Sequence, residues 1–429
     1  MPKFERLKRV FADDFVRSGA MVFGATVGSN AFNYVFHFVV SRALGPAGYG
    51  AVTSLISLVA LASIPASVLS MVIVRFAAQF HALGESGKLA ALYARVVQAG
   101  FVLFPAVLLA AVLLRDALSS YLRLGDPVLA VLCGVILAAA LLNTIARSIV
   151  QGVQDFRRYV VSLMVETAGK ALFGIVLVEL GFGVRGATTG YLIAVVASLA
   201  YTFSAVRAHT SAAREPLHMD LRRLLQTAGA IGLGSAATTV LTNVDVVLVK
   251  HYYDPHTAGL YGVLSLTGKV VLFVLGTLPT VLLPKASAHA SRGESPLHFL
   301  YRAFAAAGAI SAVALAVTLL VPGLAIRALA GGAFTSVAPL LAEYTLAMVF
   351  LGAATIVAAF KIALHRFDFV AGLWAAIVLE IGLVAVFHDS LASAVHAVLA
   401  ASSFAFVQSL WRVNRAGRVV PLRSVAEAA

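Results

Sequence analysis

The feature that most constrains this chain of 429 residues is a series of about a dozen apolar segments, each close to membrane-spanning length. A helix of ~18–25 apolar residues matches the ~30 Å hydrocarbon core of a bilayer, because a helix rises ~1.5 Å per residue. In hydrocarbon only helices and closed barrels satisfy every backbone amide, and these runs are too long and too uniformly apolar for barrel strands. We therefore predict an all-α integral membrane protein.

The composition excludes a soluble particle of this size. Hydrophobic residues make up 61% of the chain and charged residues only 12%, whereas soluble domains average ~25% charged. The net charge of +13 could indicate a nucleic-acid partner. However, the positive residues lie in short loops between apolar spans, which is the pattern of membrane topology, and no nucleic-acid partner is expected.

The apolar runs predict twelve transmembrane helices, which a polar stretch at 208–223 divides six and six. The spans are placed at 18–41, 51–74, 94–114, 128–148, 159–180, 186–207, 224–249, 257–283, 301–321, 338–360, 369–387 and 391–411. The predicted parts are an amphipathic cytoplasmic lead-in helix at 1–17, an N-terminal six-helix bundle at 18–207, a cytoplasmic linker at 208–223, a C-terminal six-helix bundle at 224–411 and a basic cytoplasmic tail at 412–429.

The distribution of lysine and arginine sets the orientation. With the N-terminus in the cytoplasm, 24 lysines and arginines fall on the cytoplasmic side and six on the outer side. The positive-inside rule then predicts that both termini are cytoplasmic.

The two halves resemble each other. Arg42 and a turn precede Tyr49-Gly50, while Lys250 and a turn precede Tyr261-Gly262. This order favours an internal duplication. Six spans per copy give both copies the same orientation, and this arrangement is typical of transporters whose substrate site lies between the halves.

Polar groups within the spans are candidate site residues, because polarity inside a bilayer is expensive. Asn33 and His37 share one face of the first span, and Asp245 follows Thr238 and Thr242 at helical spacing in the seventh. Helix packing through glycine, asparagine and threonine is the alternative. We expect Asn33, His37 and Asp245 to face a central cavity.

Four further charged positions lie within spans. Lys269 has no local acid, with Asp245 its nearest candidate partner, and we expect it to contact an anionic substrate. Glu166 and Lys170 lie four residues apart and can neutralise each other, so their role is structural or in ion coupling or gating. Glu380 in the eleventh span is a candidate for ion coupling.

The loops of this chain are too short to form a soluble catalytic domain. No loop exceeds about twenty residues, no Asp-x-Asp metal motif stands near an outer loop, and the glycines before Lys269 have the wrong spacing for a phosphate loop. We therefore expect a protein that is not an enzyme and that needs no metal or cofactor.

Two stretches resemble the polysaccharide-transporter, or Wzx-type oligosaccharide flippase, family of the superfamily that includes drug/ion antiporters and peptidoglycan lipid flippases. They are residues 41–50, SRALGPAGYG, and residues 243–269, with Asn243-Val244-Asp245, Lys250, the segment AGLYG and Lys269.

This resemblance implies two pseudo-symmetric six-helix bundles around a central cavity. It also implies alternating access that moves a lipid-linked oligosaccharide across a bacterial cytoplasmic membrane, with Arg42, Lys250 and Lys269 engaging the sugar and pyrophosphate. Coupling to protons, sodium or the membrane potential is a candidate energy source.

The main alternative to a flippase is a drug or metabolite antiporter of the same superfamily. A further alternative is an integral-membrane glycan polymerase or ligase. The glycan, the lipid carrier, the coupling ion and the oligomeric state stay open.

Overall fold

A computed structural model describes residues 14–210, 213–216, 221–292 and 294–413, and these residues are almost entirely helical. No strand occurs within these ranges. Most of the predicted lead-in at 1–17 and of the tail at 412–429, and part of the linker at 208–223, lie outside the described residues. The prediction of an all-α membrane protein is confirmed.

The helices follow one another with short connections. Up to the linker they are α1 (Asp14–Ala62), α2 (Ile64–Ala82), α3 (Ser86–Leu113), α4 (Arg115–Tyr121), α5 (Pro127–Gly152), α6 (Phe156–Leu177), a π-helical turn (Val178–Phe182) and α7 (Gly183–Arg207). After it come α8 (Leu221–Leu241), α9 (Val244–Tyr252), α10 (Pro255–Leu275), α11 (Leu278–Ser291), α12 (Leu297–Leu320), α13 (Pro322–Ala330), a 3-10 segment (Gly332–Leu340), α14 (Leu341–Ala363), α15 (Phe369–Val386) and α16 (Leu391–Leu410).

Eleven helical segments of the described chain are long and apolar enough to cross a membrane. Phe156–Arg207 is one continuous segment that contains two of the predicted spans, because α6 passes through the π-helical turn directly into α7. The second predicted span, 51–74, is divided where α1 ends and α2 begins. The remaining segments each contain one predicted span.

Helix α1 is broken at Gly45, and this break separates two structural units. Gly45 has φ 64° and ψ −178°, a conformation that L side chains rarely adopt, and Pro46 cannot donate the backbone hydrogen bond that would continue the helix. The first unit comprises the described residues within 1–44 and 62–228, and the second those within 45–61 and 229–429. The division therefore differs from the predicted one at segment 45–61, which belongs to the second unit, and at residues 224–228, which belong to the first.

Each unit is organised around one central helix. In the first unit α5 packs against α2, α3 and α7. In the second unit α14 packs against α10, α11, α12 and α16. These central helices are surrounded by other helices, so a polar side chain on them has to find its partners within the protein.

The two repeated Tyr-Gly segments pack against each other inside the second unit. A Cβ added at Gly50 would lie 2.7 Å from the backbone nitrogen of Gly259, and a Cβ at Gly259 would collide with the carbonyl of Pro46. Only glycine allows backbones to approach this closely. The sequence similarity between these segments thus corresponds to a direct contact.

Candidate functional site

A polar network lies in the first unit, where α5, α6 and α7 meet. Arg147 of α5 donates through Nη2 to Glu166 Oε2 of α6 at 2.6 Å. The same guanidinium donates to Ser162 Oγ and to Ser198 Oγ, each at 3.0 Å. The arginine is thus held on three sides by groups from two other helices.

Asn143, one turn before Arg147 on α5, completes the network. Its Nδ2 donates to Glu166 at 3.0 Å and to Ser198 at 2.9 Å, while its Oδ1 accepts from Thr202 at 2.8 Å. Polar groups buried among helices are stable when each one is hydrogen-bonded. This network therefore fixes the packing of α5, α6 and α7.

Glu166 interacts electrostatically with Lys170, as the spacing predicted, but its direct contacts are with other groups. Its carboxylate is bonded to Arg147 and Asn143, and no ion pair or hydrogen bond reaches the Lys170 ammonium within the part of the chain that the structure describes. The Nζ of Lys170 lies instead 5.1 Å from the centroid of the Phe36 ring and 5.4 Å from that of Tyr191. Lys170 is buried, so cation–π contacts take the place of water around its charge.

The first helix contributes His37, which interacts with this lysine, and a second buried polar group, Tyr34. His37 is half-buried, packs edge-on against Phe36 at 5.3 Å between ring centroids, and interacts electrostatically with Lys170. The hydroxyl of Tyr34 is buried and has no hydrogen-bond partner among the described residues. The buried ammonium thus lies beside two aromatic rings and interacts with an imidazole.

The other two candidates of this helix have different surroundings. Asn33 is half-buried. Arg42 is exposed, donates to the carbonyl of Phe38 at 2.9 Å and stacks on the Phe38 ring at 3.7 Å. Whether Asn33, His37 and Asp245 face a shared cavity stays a prediction.

A second polar cluster, in the second unit, is centred on Asp245. The sequence placed Asp245 on one helical face with Thr238 and Thr242, and this is wrong because the helix is interrupted between α8 and α9 at Asn243, whose φ is −136°. Asp245 is instead in the first turn of α9, where the helix dipole favours a carboxylate.

The Asp245 carboxylate has no exposed surface and accepts from several groups. Tyr344 of α14 donates to its Oδ2 at 2.6 Å and Tyr261 of α10 at 3.0 Å. The Nζ of Lys269, also on α10, lies 3.4 Å from Oδ1. The structure thus pairs Lys269 with the acid that the sequence indicated, and the charge of this lysine is balanced within the protein.

Glu380 of α15 adds a second carboxylate to this region. The residue is fully buried, and both of its side-chain oxygens lack a hydrogen-bond partner within the described residues. It interacts electrostatically with Asp245 and Lys269. Two acids therefore share one ammonium in an apolar region, which leaves one uncompensated negative charge when both are ionised.

The predicted spans at 224–249 and 338–360 end immediately before Lys250 and Lys361. The structure buries Lys250 within α9, and it buries Lys361 in the last turn of α14, where its Nζ donates to Asp368 at 2.9 Å and to the carbonyl of Trp411 at 2.8 Å. The predicted spans ended too early to include these helix ends. Among the described residues no group of three or more histidines, cysteines, aspartates or glutamates could hold a metal ion.

The fold is similar to that of several solved membrane transporters. It is similar to an inward-facing multidrug resistance MATE family transporter of the MOP superfamily, with 14% identity, coverage of 91% of this chain and 95% of the other, and a TM-score of 0.75. It is also similar to the lipid II flippase MurJ in an inward closed conformation, with 16% identity, coverage of 94% and 90%, and a TM-score of 0.68. A MOP superfamily transporter from Pyrococcus furiosus shares 17% identity over 94% of this chain and 95% of the other, with a TM-score of 0.59.

At identities this low, the structural similarity shows the fold alone, which this chain shares with multi-pass membrane transporters and a flippase. The sequence itself matches the model of the family described as polysaccharide biosynthesis protein over residues 15–290. That match spans more than half of the chain, and the protein belongs to this family. No curated protein matches the sequence significantly.

Proposed function

We propose that this protein is a flippase that moves a pyrophosphate-linked oligosaccharide from the inner to the outer leaflet by alternating access. Membership of a polysaccharide biosynthesis family supports the substrate class, and a fold shared with MATE transporters and a lipid II flippase supports the transport mechanism. Pyrophosphate and sugar hydroxyls cannot cross ~30 Å of hydrocarbon unaided, because both would lose their hydration.

The observation that carries the proposal is the buried ammonium of Lys170. Glu166, one turn before it, is ion-paired with Arg147 and acts on Lys170 only electrostatically, while the contacts of the ammonium are the ring faces of Phe36 and Tyr191. An ammonium within a bilayer costs ~2.5–3.5 kcal/mol on insertion scales. A pyrophosphate oxygen would offset that cost through a charge-assisted hydrogen bond, so Lys170 is the anion contact in this proposal.

Lys269, which the sequence predicted as the contact with the anionic substrate, is less suited to that role than Lys170. Its charge is already balanced by Asp245 at 3.4 Å, and displacing that partner would leave a buried carboxylate. Lys170 is buried in this conformation, so its contact with substrate depends on the conformational change that alternating access provides.

In this proposal the coupling ion binds at the Asp245 cluster. Glu380 has no hydrogen-bond donor among the described residues and shares one lysine with Asp245, so binding of a proton or a sodium ion removes the excess negative charge. Loading and release of that cation in the second unit would bias the transport cycle.

The protein would act in the cytoplasmic membrane with both termini on the cytoplasmic side. Reporter fusions test this orientation: a fusion after residue 255 should read outside, and one after residue 410 should read inside.

Reconstitution tests the function directly. Purified protein in proteoliposomes is given a pyrophosphate-linked oligosaccharide in one leaflet, and its appearance in the other leaflet is measured with a glycan-cleaving enzyme added outside. We expect transport of this lipid and none of a cationic dye. Export of the dye without movement of the glycan lipid would favour the antiporter alternative, and elongation of the glycan would favour the polymerase.

A further inference from the structure

A groove of about 480 Å³ lies on the first unit, where α3, the end of α7 and the following linker meet. Arg207 and Arg214 line one end, and the aromatic residues Tyr93 and Phe101 are among those that line the rest. No carboxylate is among its lining residues, all of which belong to the described chain. The groove therefore combines a cationic end with an apolar wall.

The cationic end is built from two segments that are held together. Arg207 is in the last turn of α7. Arg214 is in the linker, where the backbone N–H of Glu215 donates to the carbonyl of Gly87 at 3.2 Å and fixes the linker against the start of α3. Both arginines are exposed, so their guanidinium groups are available to a ligand.

The charged groups close to this end do not remove its positive character. The Glu215 side chain lies against Gly87, and Glu85 is paired with Lys88 at 2.6 Å. Neither glutamate lines the groove. A ligand with negative charge would therefore meet two arginines without a competing acid.

The apolar wall includes the point where α3 leaves the protein interior. The groove-lining residues Ala90 and Ala94 are buried, whereas the Phe101 side chain is 77% exposed, and the most apolar stretch of α3 has a mean hydropathy of 2.4 and is only 11% buried. Tyr93 is fixed edge-on to Phe203 of α7, with 6.1 Å between ring centroids. The groove thus runs from an end of the helices, where headgroups lie, towards the hydrocarbon, and an amphipathic ligand matches both ends.

We propose that this groove binds an anionic phospholipid, with its phosphate between Arg207 and Arg214 and one acyl chain along Phe101. Arginine suits this role because its planar guanidinium donates two parallel hydrogen bonds to phosphate oxygens. The site lies on the side of the membrane that the charge distribution assigns to the cytoplasm, and it is independent of the proposed transport function.

Binding of a short-chain phosphatidylglycerol to the purified full-length protein tests the proposal, with phosphatidylcholine as the neutral comparison and native mass spectrometry as the readout. Each arginine near an anionic headgroup contributes roughly a fivefold gain in affinity, so Arg207→Gln or Arg214→Gln should weaken binding about fivefold and the double variant about 25-fold. Arg302→Gln is the matched control, because Arg302 is an exposed arginine on α12, in the second unit.

Two further measurements separate a lipid site from a site for free anions. Phe101→Ser should weaken binding of phosphatidylglycerol, and inorganic phosphate at millimolar concentration should not displace the lipid. Wild-type affinity in the double arginine variant, or equal binding of phosphatidylcholine, would overturn the proposal. Complete displacement by inorganic phosphate would overturn it as well, and unchanged thermal unfolding of each variant confirms that the fold is intact.

Discussion

Arg147 and Glu166 form an ion pair between α5 and α6, with 2.6 Å between Nη2 and Oε2. Side-chain exposures of 14% and 22% place the pair mostly inside the first unit. Glu166 makes its direct contacts with Arg147 and Asn143, and it acts on Lys170, four residues further along the same helix, only through an electrostatic interaction. A packing contact between two helices thereby leaves the nearby lysine without a direct ion pair to this acid.

Removing Arg147 should destabilise the first unit. Arg147→Met leaves the Glu166 carboxylate with Asn143 as its remaining donor, and loss of a charge-assisted hydrogen bond costs about 2 kcal/mol. The double variant Arg147→Met/Glu166→Leu should lose less than the sum of the single variants Arg147→Met and Glu166→Leu, because no unpaired charge remains. Thermal unfolding of the purified protein measures this cycle, and strictly additive losses would contradict the pairing.

Gly259→Ala should destabilise the second unit, because the new methyl group would collide with the carbonyl of Pro46. Overpacking costs about 1–3 kcal/mol, and a rigid backbone neighbour places this site at the upper end. Gly308→Ala on α12 is the matched control, since a Cβ there meets nothing within 4 Å. Equal unfolding temperatures for the two variants would show that the close approach of the repeated segments is not required.

Hydropathy predicted the fold because membrane-spanning helices have to be long and apolar, and most span positions agree with the structure. Hydropathy could not predict that segment 45–61 packs in the second unit. Hydropathy reports the burial of a segment in the bilayer and contains no information about which helices it packs against. The repeated Tyr-Gly sequences were a usable signal, but they indicated duplication and not their contact with each other.

The site was predicted in part. Asp245 and Lys269 were linked because so few charges lie within spans that each has few candidate partners. Glu166 was assigned to Lys170 because spacing along one helix is visible in a sequence, whereas the approach of Arg147 from α5 depends on tertiary packing. Tyr344, which donates to Asp245, carried no sequence signal that distinguishes it from other buried aromatic residues, and Tyr261, the second donor, was marked only by the repeat, which did not indicate a contact with Asp245.

Asp155, in the turn between α5 and α6, predicts a pH dependence of stability. Burial raises the pKa of the Asp155 carboxyl, but hydrogen bonds from His209 at 2.9 Å and from Arg158 outweigh it and hold the pKa below its usual range. A lowered pKa in the folded state gives stability that is present above the unfolded pKa of ~3.9 and is lost as the pH falls through the folded value.

Asp155→Asn isolates this charge effect, because asparagine can still cap the helix that begins at Phe156. The variant should unfold at a lower temperature than the wild type at pH 7, and the difference should disappear as the pH falls below ~4. Thermal unfolding between pH 3 and pH 8 measures it. A difference that persists unchanged at the lowest pH would exclude the carboxylate as its cause.

Glu380→Gln should uncouple transport from the cation gradient. Glutamine is neutral and nearly isosteric, so it mimics the carboxyl group in its proton-loaded form. Transport in proteoliposomes should then become insensitive to an imposed pH or sodium gradient while the downhill movement of the lipid persists. Glu294→Gln is a suitable control, because Glu294 follows α11 in a loop. Retention of the full gradient dependence by Glu380→Gln would remove Glu380 from the coupling mechanism.

The role of Lys170 as the anion contact is tested most directly by the flipping rate of a pyrophosphate-linked oligosaccharide in Lys170→Met proteoliposomes. Methionine keeps the apolar stem between Phe36 and Tyr191 but has no charge, so the rate should fall at least about tenfold while protein folding is retained. Lys170→Arg should keep partial activity, and the exposed control Lys285→Met should transport like the wild type. A wild-type rate for Lys170→Met would contradict the account.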